Sequence, residues 1–169
     1  NCWIDYPNSQ GYAWFEDYYQ WFNFTLQIIK KNKKYNWVLK PHPAEHEYEG
    51  KTMLDFLKKD KLPNHVKLWP KKANANDIIK SGDIIISARG SASYEHILAN
   101  KKVLTAEKTI YSHLKICKFC KSKSEYKKTL KFLNKIKFPS KKQIKNTLLY
   151  LSIVHSDSLT KNFLNNLPF

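Results

Sequence analysis

The stretch DIIISARGSASYEHIL, residues 83–98, decides how the rest of the chain is read. Ile84, Ile85 and Ile86 follow Asp83 without polar alternation. A continuous β-branched run of this length predicts a strand covered on both faces, as in a parallel sheet. The run ends in Ser87-Ala88-Arg89-Gly90-Ser91, small and polar, and the segment Ser93 to Ala99 then predicts a helix. Strand, turn and helix in this order form the first half of a βαβ unit, and Val103 to Ala106 supplies the second strand.

The same alternation extends upstream. Asn36 to Leu39 and Val66 to Trp69 read as strands, Glu45 to Lys59 and Asn76 to Ser81 as helices. Tyr12 to Lys31 predicts a helix apolar on two stripes: Tyr18, Phe22, Leu26 and Ile29 on one, Trp21, Phe24 and Ile28 on the other. Such a helix is expected inside a domain, or with part of its surface against a neighbouring domain. From Glu125 onward the pattern is helical only. Tyr126, Leu130, Leu133 and Ile136 form one face, and Ile144, Leu148 and Leu151 another after a break at Pro139-Ser140. The expected fold is α/β: a Rossmann-like parallel sheet with helices on both faces, followed by carboxyl-terminal helices, as a single domain over residues 1–169.

The formal charge is +16, from 30 basic against 14 acidic residues. A surface this basic attracts polyanions or anionic membranes. However, Arg89 is the single arginine, and a composition rich in Lys, Asn and Ile is what an AT-rich genome produces. The lysines are scattered and match no nucleic-acid-binding signature, so no nucleic-acid partner is expected. No apolar run approaches the length needed to span a membrane. Three cysteines do not make a disulfide framework, and the lone pair Cys117 and Cys120 lacks the four ligands of a structural zinc site, so no metal is expected. The chain opens on Asn1 and reads as a fragment or a processed product.

In an open parallel sheet, ligands bind beyond the carboxyl ends of the strands. Two loops occupy such places. In the first, Lys40-Pro41-His42-Pro43, the prolines restrict their own φ and bias Lys40 and His42 toward extended backbone, presenting the imidazole with little entropy to lose. In the second, Arg89, Gly90, Ser91 and Ser93 lead into a helix, where amides, hydroxyls and a guanidinium can meet an anion. Helix capping by Ser91 or Ser93 is the alternative, and it is compatible with phosphate binding. The loop is not a P-loop, because its lysine and second glycine are absent. Glu95 either complements the helix dipole or accepts hydrogen bonds from ribose hydroxyls.

Three motifs in order, Phe15-Glu16-Asp17-Tyr18-Tyr19-Gln20-Trp21, then Trp37-Val38-Leu39-Lys40-Pro41-His42-Pro43, then Asp83 to Ser87 leading to Gly90, Ser91 and Glu95, resemble the carboxyl-terminal half of a bacterial GT-B glycosyltransferase. The resemblance is to the capsule polysaccharide biosynthesis proteins, relatives of Kdo transferases and bacterial sialyltransferases, and covers Asp5 to Tyr111. It implies a nucleotide-sugar-binding domain, CMP-linked donors favoured. Catalytic His42 would sit near the donor phosphate, with Ser91 and Ser93 binding that phosphate and Glu95 on the nucleotide sugar ring; Lys40, Arg89 and Gly90 join the expected phosphate-binding set from their place in the two loops. No cofactor is implied. The acceptor would be a saccharide or a lipid-linked glycan, and the setting the cytoplasm, with peripheral contact to the inner membrane as a further expectation. Two departures stand out. Asn100-Lys101-Lys102-Val103 replaces the usual glycine and proline before the next strand, and Arg89 is foreign to the pattern. A CDP-glycerol-type polyol-phosphate transferase and a non-enzymatic basic module that binds an anionic polymer or membrane are the rival readings.

Overall fold

The computed structural model describes residues 14–42, 45, 51–58, 61–70 and 74–154. The expectations placed on residues 1–13, 43–44, 46–50, 59–60, 71–73 and the chain beyond 154 lie outside these. The fold is mixed α/β, with parallel strands flanked by helices and helices at the carboxyl-terminal end. Its described residues gather into two compact units. Unit 1 draws on residues 1–81 and 120–135, unit 2 on 82–119 and 136–169.

Unit 1 is built around α1, Tyr18–Ile29, whose amino end is capped by Asp17 accepting from the Gln20 amide at 2.6 Å. Tyr18, Phe22, Thr25, Leu26 and Ile29 form its buried face. The second apolar stripe is met within the unit by α5, Lys123–Lys131. Trp21 Nε1 donates to the Tyr126 hydroxyl at 3.1 Å, Thr25 Oγ1 lies 3.0 Å from that same hydroxyl, and the Phe24 ring stacks on Tyr126. Phe15 adds an edge contact to Tyr126.

Strand β1, Trp37–Leu39, pairs in parallel with β2, Val66–Leu68. Helix α2, Met53–Leu57, lies between them in sequence. It starts eight residues later than the Glu45 onset predicted from sequence, because Thr52 and Asp55 close a capping box that defines the first turn. The Asp55 carboxyl is held well below the usual carboxylate range, chiefly by its hydrogen bond to Lys58 and then by Thr52. Buried Glu45 accepts from the Met53 amide instead of joining the helix. Helix α3, Ala75–Ser81, ends the first part of the unit.

In unit 2, β3 (Ile84–Ser87), α4 (Ala92–Leu98) and β4 (Lys102–Thr105) form the expected βαβ unit, in register Ile84 with Lys102 through Ser87 with Thr105. Strand β5, Lys118–Phe119, joins β4 in parallel. This strand was not foreseen, since two residues in a lysine-rich stretch carry no period. The described strands thus pair as two sheets, β1-β2 and β3-β4-β5, where the alternation alone had suggested one. Ladder bonds form only between strands that follow one another in the chain. As the edge of its sheet among the described residues, β3 leaves Ile84, Ile85 and Ile86 half-buried, while central β4 buries Val103, Leu104 and Thr105.

Asn100 accounts for the first departure from the resemblance. It closes α4 at φ 55°, the left-handed conformation usually given to glycine, and Lys101 donates back to His96 at 2.8 Å. Asn is the non-glycine residue that tolerates this conformation best.

The face Tyr126, Leu130, Leu133 and Ile136 is buried throughout, although its last members follow the end of α5. Helix α6, Lys141–Val154, packs differently from the expectation. Thr147 is its buried residue, Ile144 and Leu151 are half-buried, and Leu148 is exposed. Polar anchors set this rotation: Gln143 Nε2 donates to the Lys115 and Ile116 carbonyls, and Asn146 Nδ2 to Leu114.

Candidate functional site

The parallel pairing of β3 and β4 brings two loops side by side at the carboxyl ends of their strands, and the Ala106 amide donates to the Ser87 carbonyl at 2.9 Å where the loops diverge. The first loop, Ala88 to Ser91, carries the predicted phosphate-binding residues. The second, Ala106 to Tyr111, was not marked by the sequence, yet it supplies the groups that shape the first.

Gly90 turns the chain, and its amide donates to Ser87 Oγ at 2.7 Å. Ser91 is exposed and stands at the start of α4 without a side-chain capping bond, so the capping alternative does not use its hydroxyl. Among the described residues, the amides of Ser91 and Ala92 have no hydrogen-bond acceptor. Glu95 is exposed one turn further along α4.

Arg89 and Ser93 face the interior. The Arg89 side chain is 2 % exposed, and its Nε donates to Glu107 Oε2 at 3.2 Å, with the Glu107 side chain 1 % exposed. The charge expected at the mouth of the loop is therefore met inside the protein. A buried ion pair of this kind sets a loop's conformation, because neither charge can leave its partner without a large desolvation cost. Ser93 Oγ is fully buried and makes no hydrogen bond of sound geometry, and the Tyr111 hydroxyl is a polar neighbour. Tyr111 itself donates to the carbonyls of Gly90 at 2.9 Å and Arg89 at 3.3 Å. Burial raises its phenol above the ordinary range, so it stays a donor at all working pH values.

Below the loop, buried His96 is held by Nδ1 against the Ala92 carbonyl at 2.8 Å, while its Nε2 is buried without a partner. Burial lowers its pKa below the usual 6.5, outweighing the opposing pull of the Ala92 carbonyl and Glu95. A depressed folded value means that the unfolded chain takes up the proton first as the pH falls. The contribution of neutral His96 is thus complete above 6.5 and is lost below it. Urea midpoints are expected to fall between pH 7.5 and pH 5.5, and a His96→Gln variant should lose part of that decline; equal slopes in both proteins would refute the assignment.

Lys40 and His42 belong to unit 1, where both are exposed just beyond the end of β1. The His42 carbonyl accepts from the Glu45 amide at 3.1 Å. A cavity of 450 Å³ in unit 1 is lined by Leu54, Leu57, Lys58, Leu62 and Leu68 and contains none of the predicted site residues.

Cys117 and Cys120 form no disulfide. Burial pushes Cys117 up to about 11, which makes it a poor ligand and nucleophile. Among the described residues no cluster of His, Cys, Asp and Glu could hold a metal, and no helix is long and apolar enough to cross a membrane. Part of the basic charge covers aromatic rings: Lys102 lies over Phe138, Lys34 and Lys135 over Phe132, and Lys123 over Phe15.

Fold and site define an α/β protein whose parallel strands end in a serine-bearing loop held by a buried ion pair. Comparison with protein-family models, with curated proteins and with solved structures finds no match.

Proposed function

We propose that this chain is the nucleotide-sugar-binding domain of a bacterial glycosyltransferase that builds capsule or surface polysaccharide, with a CMP-linked donor. The observation that supports it most is the Gly90–Ser91 turn at the carboxyl end of a parallel strand. It offers an exposed hydroxyl and two amides without acceptors, with Glu95 one turn away. These groups suit a phosphate followed by a ribose.

In this reading an acceptor hydroxyl attacks the anomeric carbon of the sugar, and the bond to the nucleotide phosphate breaks. Negative charge grows on the departing phosphate oxygens. Ser91 and the amides beside it stabilise that charge, and Ser93 joins them once the loop shifts to admit it. Arg89 acts from beneath, through the loop it holds. A general base for the acceptor belongs to a second, amino-terminal domain, so the 169-residue chain binds donor and transfers nothing by itself.

Calorimetry with CMP, CDP and UDP tests the reading. Micromolar to millimolar binding of CMP is expected, weakened about tenfold or more in Ser91→Ala, since the substitution removes a hydrogen bond to a charged group. A preference for CDP would favour the polyol-phosphate transferase. Salt-sensitive binding to any polyanion, without nucleotide preference, would sink the transferase in favour of the basic module.

A further inference from the structure

The second loop of unit 2 contains a phenol whose hydroxyl donates to two backbone carbonyls of the first. We propose that Tyr111 is the positioning residue of the anion-binding turn, turning the Ser91 amide outward by holding the Gly90 carbonyl inward. The inference rests on the glycosyltransferase reading for the identity of the ligand, but not for the geometry.

The hydroxyl of Tyr111 has one proton to give, and two successive carbonyls share it, Gly90 at 2.9 Å and Arg89 at 3.3 Å. In a trans peptide the C=O and the following N–H point to opposite sides of the chain. Fixing the Gly90 carbonyl on a buried phenol therefore directs the Ser91 N–H away from the interior. Gly90 is held a second time by its own amide on Ser87 Oγ, and its carbonyl also accepts from the Ser93 amide at 3.2 Å. Both peptide planes at the turn are thus set before any ligand arrives.

The phenol in turn has a fixed place. Tyr111 is 2 % exposed, and its ring meets Tyr94 of α4 at 6.0 Å and Tyr150 of α6 at 5.7 Å, both edge-on. Thr109 and Ser112, hydrogen-bonded to each other on either side of it, close the backbone into a tight turn. Packing alone is satisfied by phenylalanine at this position. The hydroxyl is what reaches the turn.

Tyr111→Phe isolates that hydroxyl, since the ring and its neighbours are kept. Hydrogen exchange on the ligand-free full chain is expected to show the amides of Gly90 and Ser93 exchanging about tenfold faster than in the wild type, the size expected for one lost hydrogen bond. The amides of Val103 and Leu104 should be unchanged. Titration with CMP and with cytidine, followed by chemical shifts, should show CMP weakened about tenfold and cytidine unaffected, because only the phosphate meets the turn. Unchanged exchange at Gly90 and Ser93 overturns the positioning role, as does equal weakening of CMP and cytidine. Wild-type protein that binds neither CMP, CDP nor UDP overturns the nucleotide reading instead, and the exchange data then decide the geometry by themselves.

Discussion

Glu107→Ala is expected to destabilise unit 2 by about 3–5 kcal/mol, the cost of leaving one member of a buried ion pair without its partner. The substitution removes the buried carboxylate that Arg89 Nε meets at 3.2 Å. The guanidinium is enclosed, and the loop that would have to open is tied to Ser87 through the Gly90 amide and to Tyr111 through two carbonyls. Against the roughly 5–15 kcal/mol that stabilises an ordinary domain, the loss takes unit 2 close to unfolding under mild conditions. Its consequence for function is direct, because the predicted ligand groups Gly90, Ser91 and Ser93 are carried by the loop that collapses. The double variant Arg89→Met with Glu107→Leu should recover most of the stability, since an apolar pair of similar volume replaces a buried ion pair at little net cost. All five tryptophans precede residue 71, so their fluorescence reports on unit 1. Amide exchange at Val103 and Leu104 follows unit 2. Glu107→Ala with an unfolding free energy within 1 kcal/mol of wild type would refute the structural weight given to the pair.

The second large effect lies in unit 1. Tyr126→Ala should cost about 3–5 kcal/mol, because it removes a fully buried aromatic ring between α1 and α5 and leaves a cavity that neighbouring side chains fill only in part. Two polar groups also lose their partner, Trp21 Nε1 at 3.1 Å and Thr25 Oγ1 at 3.0 Å, although Thr25 retains its bond to the Trp21 carbonyl. Tyr126→Phe separates the two causes. It keeps the ring and removes the hydroxyl, so about 1 kcal/mol is expected from it. Tryptophan fluorescence in urea measures both variants, and a Phe variant as unstable as the Ala variant would mean that the hydrogen bonds, not the packing, hold the two helices.

How the structure was foreshadowed differs from residue to residue. Ile84 to Ile86 announced β3, and the serines and Gly90 after it announced a turn into a helix, because backbone preference and apolar run length act locally. The four-residue face from Tyr126 to Ile136 was legible for the same reason. Thr52 and Asp55 carried a capping box that sequence periodicity overran, so α2 was read too long. Leu148 was assigned to a buried face of α6 on spacing alone. The rotation of that helix is set by Gln143 and Asn146 reaching carbonyls around thirty residues away, which spacing does not encode. In the candidate site, Ser91 and Glu95 stand at the surface where their chemistry suggested, whereas Arg89 was read as a surface cation and lies in the interior.

What this sequence determined by itself was the alternation of strands and helices, the parallel sense of the pairing and the place of the serine loop at a strand's carboxyl end. Those features follow from local sterics and from the handedness of βαβ connections. Tertiary structure alone decided which polar groups turn inward. Arg89 with Glu107, Ser93 and His96 on α4, and Tyr111 under the turn are buried because β3 and β4 pair in the register that sets Ser87 beside Thr105. That register brings a carboxylate and a phenol from residues 107 and 111 to a loop about twenty positions earlier, and no local preference of either segment specifies the meeting.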